Sequence, residues 1–154
     1  MLYHQVQGFL PIYGEDGGNY TQLIHIDGST QILHLPLKTY LTSMYQQSHL
    51  DPKALQYWTH KLIGTKNNIP LTINEQFIFI PIKTRQSIGK SDGCFGYFLM
   101  STLKSFDDYT LTLTSNYTLT TLSPKIYLIK KLRDAKLLAY AYRDERKQYE
   151  FMHH

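Results

Sequence analysis

The 154-residue sequence predicts an α+β fold, mostly antiparallel β-sheet built from hairpins, with one central helix and one C-terminal helix. Short runs of alternating apolar and polar residues recur along the chain, separated by turn dipeptides, which is the pattern of hairpins. Two segments break that rhythm, near Pro52 and near Ser123, by placing apolar residues at helical spacing behind residues that start helices. A chain of this length is expected to build one core, so residues 1–142 are read as a single domain and residues 143–154, RDERKQYEFMHH, as a polar, extended tail.

In the first third, YTQLIHI and STQILHLPL read as strands flanking Asp27-Gly28, a dipeptide that takes the positive φ angles of a tight turn. Alternation groups Ile24, Ile26, Leu33 and Leu35 on one face, with His25 and His34 on the other. The segment GEDGGN is a loop and not a phosphate cradle, because the G-x-G-x-x-G spacing and a following helix are both missing. Pro52 to Ile63 is the clearest helix: Asp51 caps its free amides, Pro52 suits the first position and Gly64 supplies a left-handed stop. Leu55, Trp58 and Leu62 share its inner face, so Trp58 is a core residue before it is a base-stacking one.

PLTI and QFIFIPI follow as strands around Asn74-Glu75, the second too apolar to lie outside the core. A polar loop holding Lys83, Arg85 and Lys90 runs to Asp92-Gly93. CFGYFLMSTL is another buried strand, and YTLTLT and YTLTTL form a Thr-rich hairpin around Ser115-Asn116. A second helix starts with Ser123 as cap and Pro124 at its first position. It carries Leu128, Leu132, Ala135, Ala139 and Tyr142 on one face and Lys130, Lys131, Arg133 and Lys136 on the other.

With 42% hydrophobic and 18% charged residues, the chain belongs with folded globular proteins and not with disordered ones. No apolar run reaches the roughly 20 residues that cross a bilayer, and Met1 is not followed by a basic stretch and an apolar core, so a cytoplasmic protein without a membrane partner is expected. Cys94 is the only cysteine. It excludes an intramolecular disulfide and a Cys-based zinc site, and is expected to be a small buried hydrophobe.

Charge is distributed unevenly. Residues 1–50 hold Lys38 against Glu15, Asp16 and Asp27, a net charge of −2, whereas residues 51–154 hold 15 cations against 9 acids, a net charge of +6. The C-terminal two thirds is therefore where a polyanionic partner would dock, the plain alternative being an ordinary solvated surface.

Catalytic signatures are missing. The seven histidines show no H-x-x-x-H or H-E-x-x-H spacing on a predicted helix, there is no G-x-S-x-G elbow, and Asp107-Asp108 reads as a solvated turn. No enzymatic activity, cofactor or metal is expected, and the pair His153-His154 falls in the tail.

The order of segments is more specific than any of these. KLIGTKNNIPLTINEQFIFIPIKTRQS, a loop, and then GCFGYFLMSTL resemble the central region of the ComK family of competence transcription factors, through Gly64, Lys66, Pro70, Phe77, Phe79, Pro81, Arg85 and Cys94. LTLTSNYTLTTL resembles the paired strands before that family's last helical region, and KQYEFM is similar to its tail segment recognised by the adaptor MecA. Phe95, Gly96 and Tyr97 stand where an aromatic C-x-W pattern is usual.

The resemblance implies a transcriptional regulator of competence genes that binds A/T-rich duplex DNA through the minor groove, self-associates on its site and offers Phe151 and Met152 to a MecA-like adaptor. A narrow A/T minor groove concentrates negative potential and admits a few cations, so the expected contacts are Lys66, Lys83, Arg85 and Lys90 at the groove, with Arg85 as the inserted side chain. Lys130, Lys131, Arg133 and Lys136 are expected at flanking phosphates, with a helix's solvated face as their bland alternative. Rival readings are a single-stranded DNA or RNA module that stacks bases on sheet aromatics, and a non-enzymatic interaction protein.

Overall fold

Nine strands and three helices form among the residues that the computed structural model describes, 3–65, 68–90 and 92–152. Six strands make one antiparallel sheet: β1 (Val6–Tyr13), β2 (Asn19–His25), β3 (Thr30–Leu33), β4 (Leu71–Asn74), β5 (Phe77–Lys83) and β6 (Phe95–Leu99), in the order β3-β2-β1-β6-β5-β4. β7 (Leu103–Asp107), β8 (Thr110–Leu113) and β9 (Thr118–Thr120) make a second, three-stranded sheet. Local turn chemistry closes the hairpins. Gly28 sits at φ 90° between β2 and β3, Asn116 at φ 69° between β8 and β9, and Asn74 Oδ1 accepts the amides of Gln76 and Phe77 between β4 and β5.

The large sheet is covered on both faces, so successive residues of β2, Leu23 and Ile24, are both fully buried. On one face Ile24, Ile78, Ile80, Ile82 and Phe98 pack with Leu111 and Leu113 of the small sheet and with Leu128, Ala135 and Leu138 of α3 (Lys125–Met152). On the other, Val6, Phe9, Leu23, Phe79 and Leu99 pack with Tyr40 and Met44 of α1 (Leu37–Gln47). Each of the buried Leu, Ile, Val, Phe and Met side chains contributes about 1.5–3 kcal/mol relative to exposure. Burial also pushes the Tyr40 hydroxyl up to about 12.

α2 (Pro52–Ile63) forms with the bounds and caps the sequence predicts, although Thr59 is its buried residue and Leu62, expected on the inner face, is 38% exposed. Asp51 Oδ1 accepts the Lys53 amide at 3.0 Å, and Gly64 stops the helix at φ 77°. Trp58 donates its indole N–H to Glu145 at 2.9 Å and packs on Tyr142 with ring centroids 4.6 Å apart, which fastens α2 to α3.

Four expectations are corrected. The stretch after β3 is a helix, α1, because Pro36 ends the extended chain and Tyr40 and Met44 then repeat at i, i+4. Ile24, Ile26, Leu33 and Leu35 do not share a face: Ile26 is 47% exposed, since β2 has already ended at His25, and Leu33 and Leu35 pack on the face of the sheet opposite to Ile24. CFGYFLMSTL breaks after Leu99 at a 3-10 turn, Met100–Thr102, that carries the chain from the large sheet to the small one. The expected extended tail is instead the last part of α3, which continues to Met152.

Candidate nucleic-acid interface

β5 ends where α3 begins, and hydrogen bonds hold the two together. The Lys83 amide donates to Ser123 Oγ at 3.1 Å, the Leu122 amide donates to the Lys83 carbonyl at 2.7 Å, and the Tyr127 hydroxyl donates to the Pro81 carbonyl at 3.1 Å. Ser123 is therefore committed to β5, and the free Lys125 amide finds Asp108 Oδ1 at 2.7 Å instead. Asp108, expected only to mark a turn, supplies from the β7–β8 turn the cap expected of Ser123. α3 then runs back along β5 to the β4–β5 turn, where Glu75 receives Arg143 and Arg146.

Helical spacing divides the residues of α3 between core and solvent. Leu128, Lys131, Ala135 and Leu138 are buried, while Lys130, Arg133 and Lys136 are exposed, interleaved with Ile126, Ile129, Leu137 and Tyr140. Among the described residues the salt bridges join Glu75 to Arg143 and Arg146, and Arg146 to Glu150. None of these reaches Lys83, Lys90, Lys125, Lys130, Arg133 or Lys136. Unpaired cations thus gather on the first half of α3 and beside its start, whereas the second half is charge-balanced.

Two expected contacts are corrected. Lys131 is only 5% exposed: its Nζ donates to the Asn68 carbonyl at 2.5 Å and lies 5.5 Å from the Tyr127 ring centre, so it joins α3 to the segment after α2 and does not face a phosphate. Loss of hydration holds its ammonium below the ordinary lysine range. Arg85 also points inward. Its Nε donates to the Gly93 carbonyl and its Nη2 to Asn19 Oδ1, both at 2.7 Å, and its guanidinium lies 3.9 Å from the Tyr13 ring centre.

Beside Arg85, Asp92 accepts the Tyr13 hydroxyl at 2.5 Å, the Gly89 amide at 2.8 Å and the Asn19 side-chain amide at 2.9 Å. These donors, Tyr13 first, hold its carboxyl down at about 2. The Tyr13 hydroxyl in turn accepts the Ile88 amide at 2.8 Å. Tyr13 and Asn19 were invisible as functional candidates because their partners lie 66 to 79 residues away in sequence.

Lys83 is half-buried at the junction, and Lys90 is exposed on the loop. Lys66 lies outside the described residues, as do His153 and His154. Phe151 and Met152 stand 86% and 77% exposed at the end of α3. Cys94, expected to be buried, is half-buried and free. No cluster of three metal-ligating side chains and no helix long and apolar enough to cross a membrane occurs among the described residues. Neither a family model, a curated protein nor a solved structure matches the chain.

Proposed function

We propose that the chain is a regulator that binds A/T-rich duplex DNA through the minor groove, with the first half of α3 laid against the phosphates. The observation that carries this reading is the group of exposed, unpaired cations Lys130, Arg133 and Lys136 on one helix face, next to Lys125 and to the Lys83 junction. A row of such side chains binds phosphates by releasing counterions and fixes the protein's register on the duplex. Lys90 replaces Arg85 as the groove-facing cation, since the Arg85 guanidinium is already engaged. The resemblance to competence regulators adds the class of target, self-association on the site and presentation of Phe151 and Met152 to an adaptor.

Gel-shift titrations over a range of salt test this reading, using A/T-rich duplex, G/C-rich duplex and single strands of equal length. Tightest binding to the A/T-rich duplex is expected. Replacing Lys130, Arg133 and Lys136 together by alanine should reduce the salt slope by about three and weaken every duplex. Tighter binding of single strands, or an unchanged slope in the triple variant, overturns the reading.

A second reading, protein interaction through the same face, rests on the exposure of Ile126 (73%), Tyr140 (62%) and Leu137 (47%) between those cations. Sedimentation of the chain without DNA distinguishes the two, because self-association that Leu137→Glu abolishes would assign the apolar residues to a second copy.

A further inference from the structure

We propose that the free edge of β3 pairs with the same strand of a second copy, joining two large sheets into one about a two-fold axis. The edges of the two sheets are not equally protected. β4, at the other end of the large sheet, is buried along Leu71, Thr72 and Ile73. β7 carries Lys104 and Asp107 and a break in its register with β8, and such charges and bulges keep an edge from pairing. β3 has neither: Thr30, Gln31 and Ile32 are exposed and uncharged, and they run in unbroken register against β2.

The hydrogen bonds of the β2–β3 ladder decide which backbone groups of that edge are free. The His25 amide donates to the Ser29 carbonyl at 2.8 Å, so Ile24 and Thr30, which lie opposite one another, do not bond each other. Alternation along the ladder then makes Gln31 and Leu33 the residues bonded to β2 and turns the N–H and C=O of Thr30 and Ile32 outward. A partner strand replaces water on those groups, and that exchange alone contributes little, so an apolar side chain has to be covered as well. β9, the remaining edge, exposes only Thr118 and Thr120, whereas β3 exposes Ile32 to 54%.

Charge and register select the occupant. Antiparallel pairing centred on Gln31 sets Thr30 opposite Ile32 of the second copy, and Ile32 opposite its Thr30, and each such pair exchanges both of its backbone hydrogen bonds. Both isoleucines then lie diagonally adjacent on one face. Two-fold symmetry sets every group near its own copy, so a charged edge would repel itself, and β3 carries no charge. An edge that selects a foreign peptide takes its specificity from pockets beside the strand, and the clefts next to α1 and α2 are lined by no residue of β3. One short strand buries less than the ~1,200 Å² of a standard interface, so weak association is expected. The inference stands on the sheet edge alone and is independent of DNA binding.

Sedimentation of the full chain from about 10 μM to about 1 mM, with amide hydrogen exchange at both ends of that range, tests it. A monomer–dimer equilibrium is expected. The amides of Thr30 and Ile32 should exchange fast in dilute solution and slow several-fold in the dimer, while those of Gln31 and Leu33 stay the same. Ile32→Lys and Thr30→Lys, both at exposed positions, should each abolish the dimer and leave the melting temperature of the monomer unchanged, and Leu137→Glu should leave the dimer intact. A monomer throughout the range, a dimer that survives both lysine variants, or one that Leu137→Glu dissolves overturns the proposal.

Discussion

The loop that follows β5 and the first half of α3 are both basic, yet Arg85 of the loop and the outer cations of α3 are used in opposite ways. In the loop, Arg85 faces Tyr13, Asn19 and the Gly93 carbonyl, and its charge serves to hold the loop against the β1–β2 hairpin. On α3, Lys130, Arg133 and Lys136 face solvent without an acid partner. Arginine carries five donors and no acceptor, so a loop lacking regular backbone partners can gain several anchors from one such side chain. A helix has no such need, because its backbone groups bond one another and its outer side chains are left available. A basic residue in a sequence therefore says little about availability until its backbone setting is known.

The largest expected effect tests that contrast directly. Arg133→Glu should reduce the salt slope of DNA binding by about two and lower affinity about ten-fold or more, with thermal stability changed by no more than ~0.5 kcal/mol. Arg85→Gln should do the reverse: the slope stays, the melting temperature falls, and the Ile88 and Gly89 amides exchange faster. A loss of A/T preference with intact stability in Arg85→Gln would return that residue to the groove and break the comparison.

A smaller effect sharpens the comparison within α3 itself. Lys131 differs from Lys130 by one position but lies in the core, bonded to Asn68. Lys131→Ala should cost about 1–3 kcal/mol by denaturant unfolding, through the lost stem packing and the orphaned carbonyl, with the salt slope unchanged. Lys131→Met keeps the stem and removes a poorly hydrated charge, so it should recover most of that loss. A reduced slope in either variant would place Lys131 on the DNA side after all.

These positions also mark where the sequence was legible. The hairpins and α2 could be read because their signals are local: Asp27-Gly28 closes a turn, and Asp51, Pro52 and Gly64 bound a helix within a dozen residues. α1 was missed: the strand reading ran on to Leu37 because Leu-Pro-Leu continues an extended pattern, and the residues after it were given no element, although Leu37, Tyr40, Leu41, Met44 and Tyr45 already carried helical spacing. Lys131 was legible too, since Leu128, Lys131, Ala135 and Leu138 share one face, but its charge argued it outward. The inward turn of Arg85 was not legible. It depends on Asn19 and Tyr13, which approach only after β1, β2 and β6 have paired, and no periodicity encodes that approach.

The smallest expected effect concerns Asp92, whose groups at the loop are reached by solvent and so are screened. Its carboxyl is held at about 2 in the folded chain, below the roughly 3.9 of an unfolded aspartate. A depressed carboxyl pKa stabilises the fold above the unfolded value, and that contribution disappears as pH falls through the folded one. The wild type should therefore outlast Asp92→Asn in denaturant by a constant margin above about pH 4, and the margin should shrink between about pH 4 and pH 2. Exchange of the Gly89 amide, which donates directly to Asp92, should speed up over the same interval in the wild type. A margin that stayed constant down to pH 2 would mean that the hydrogen-bond geometry of the side chain, and not its ionised state, holds the loop. The loop would then be as indifferent to charge as the contrast with α3 requires it not to be.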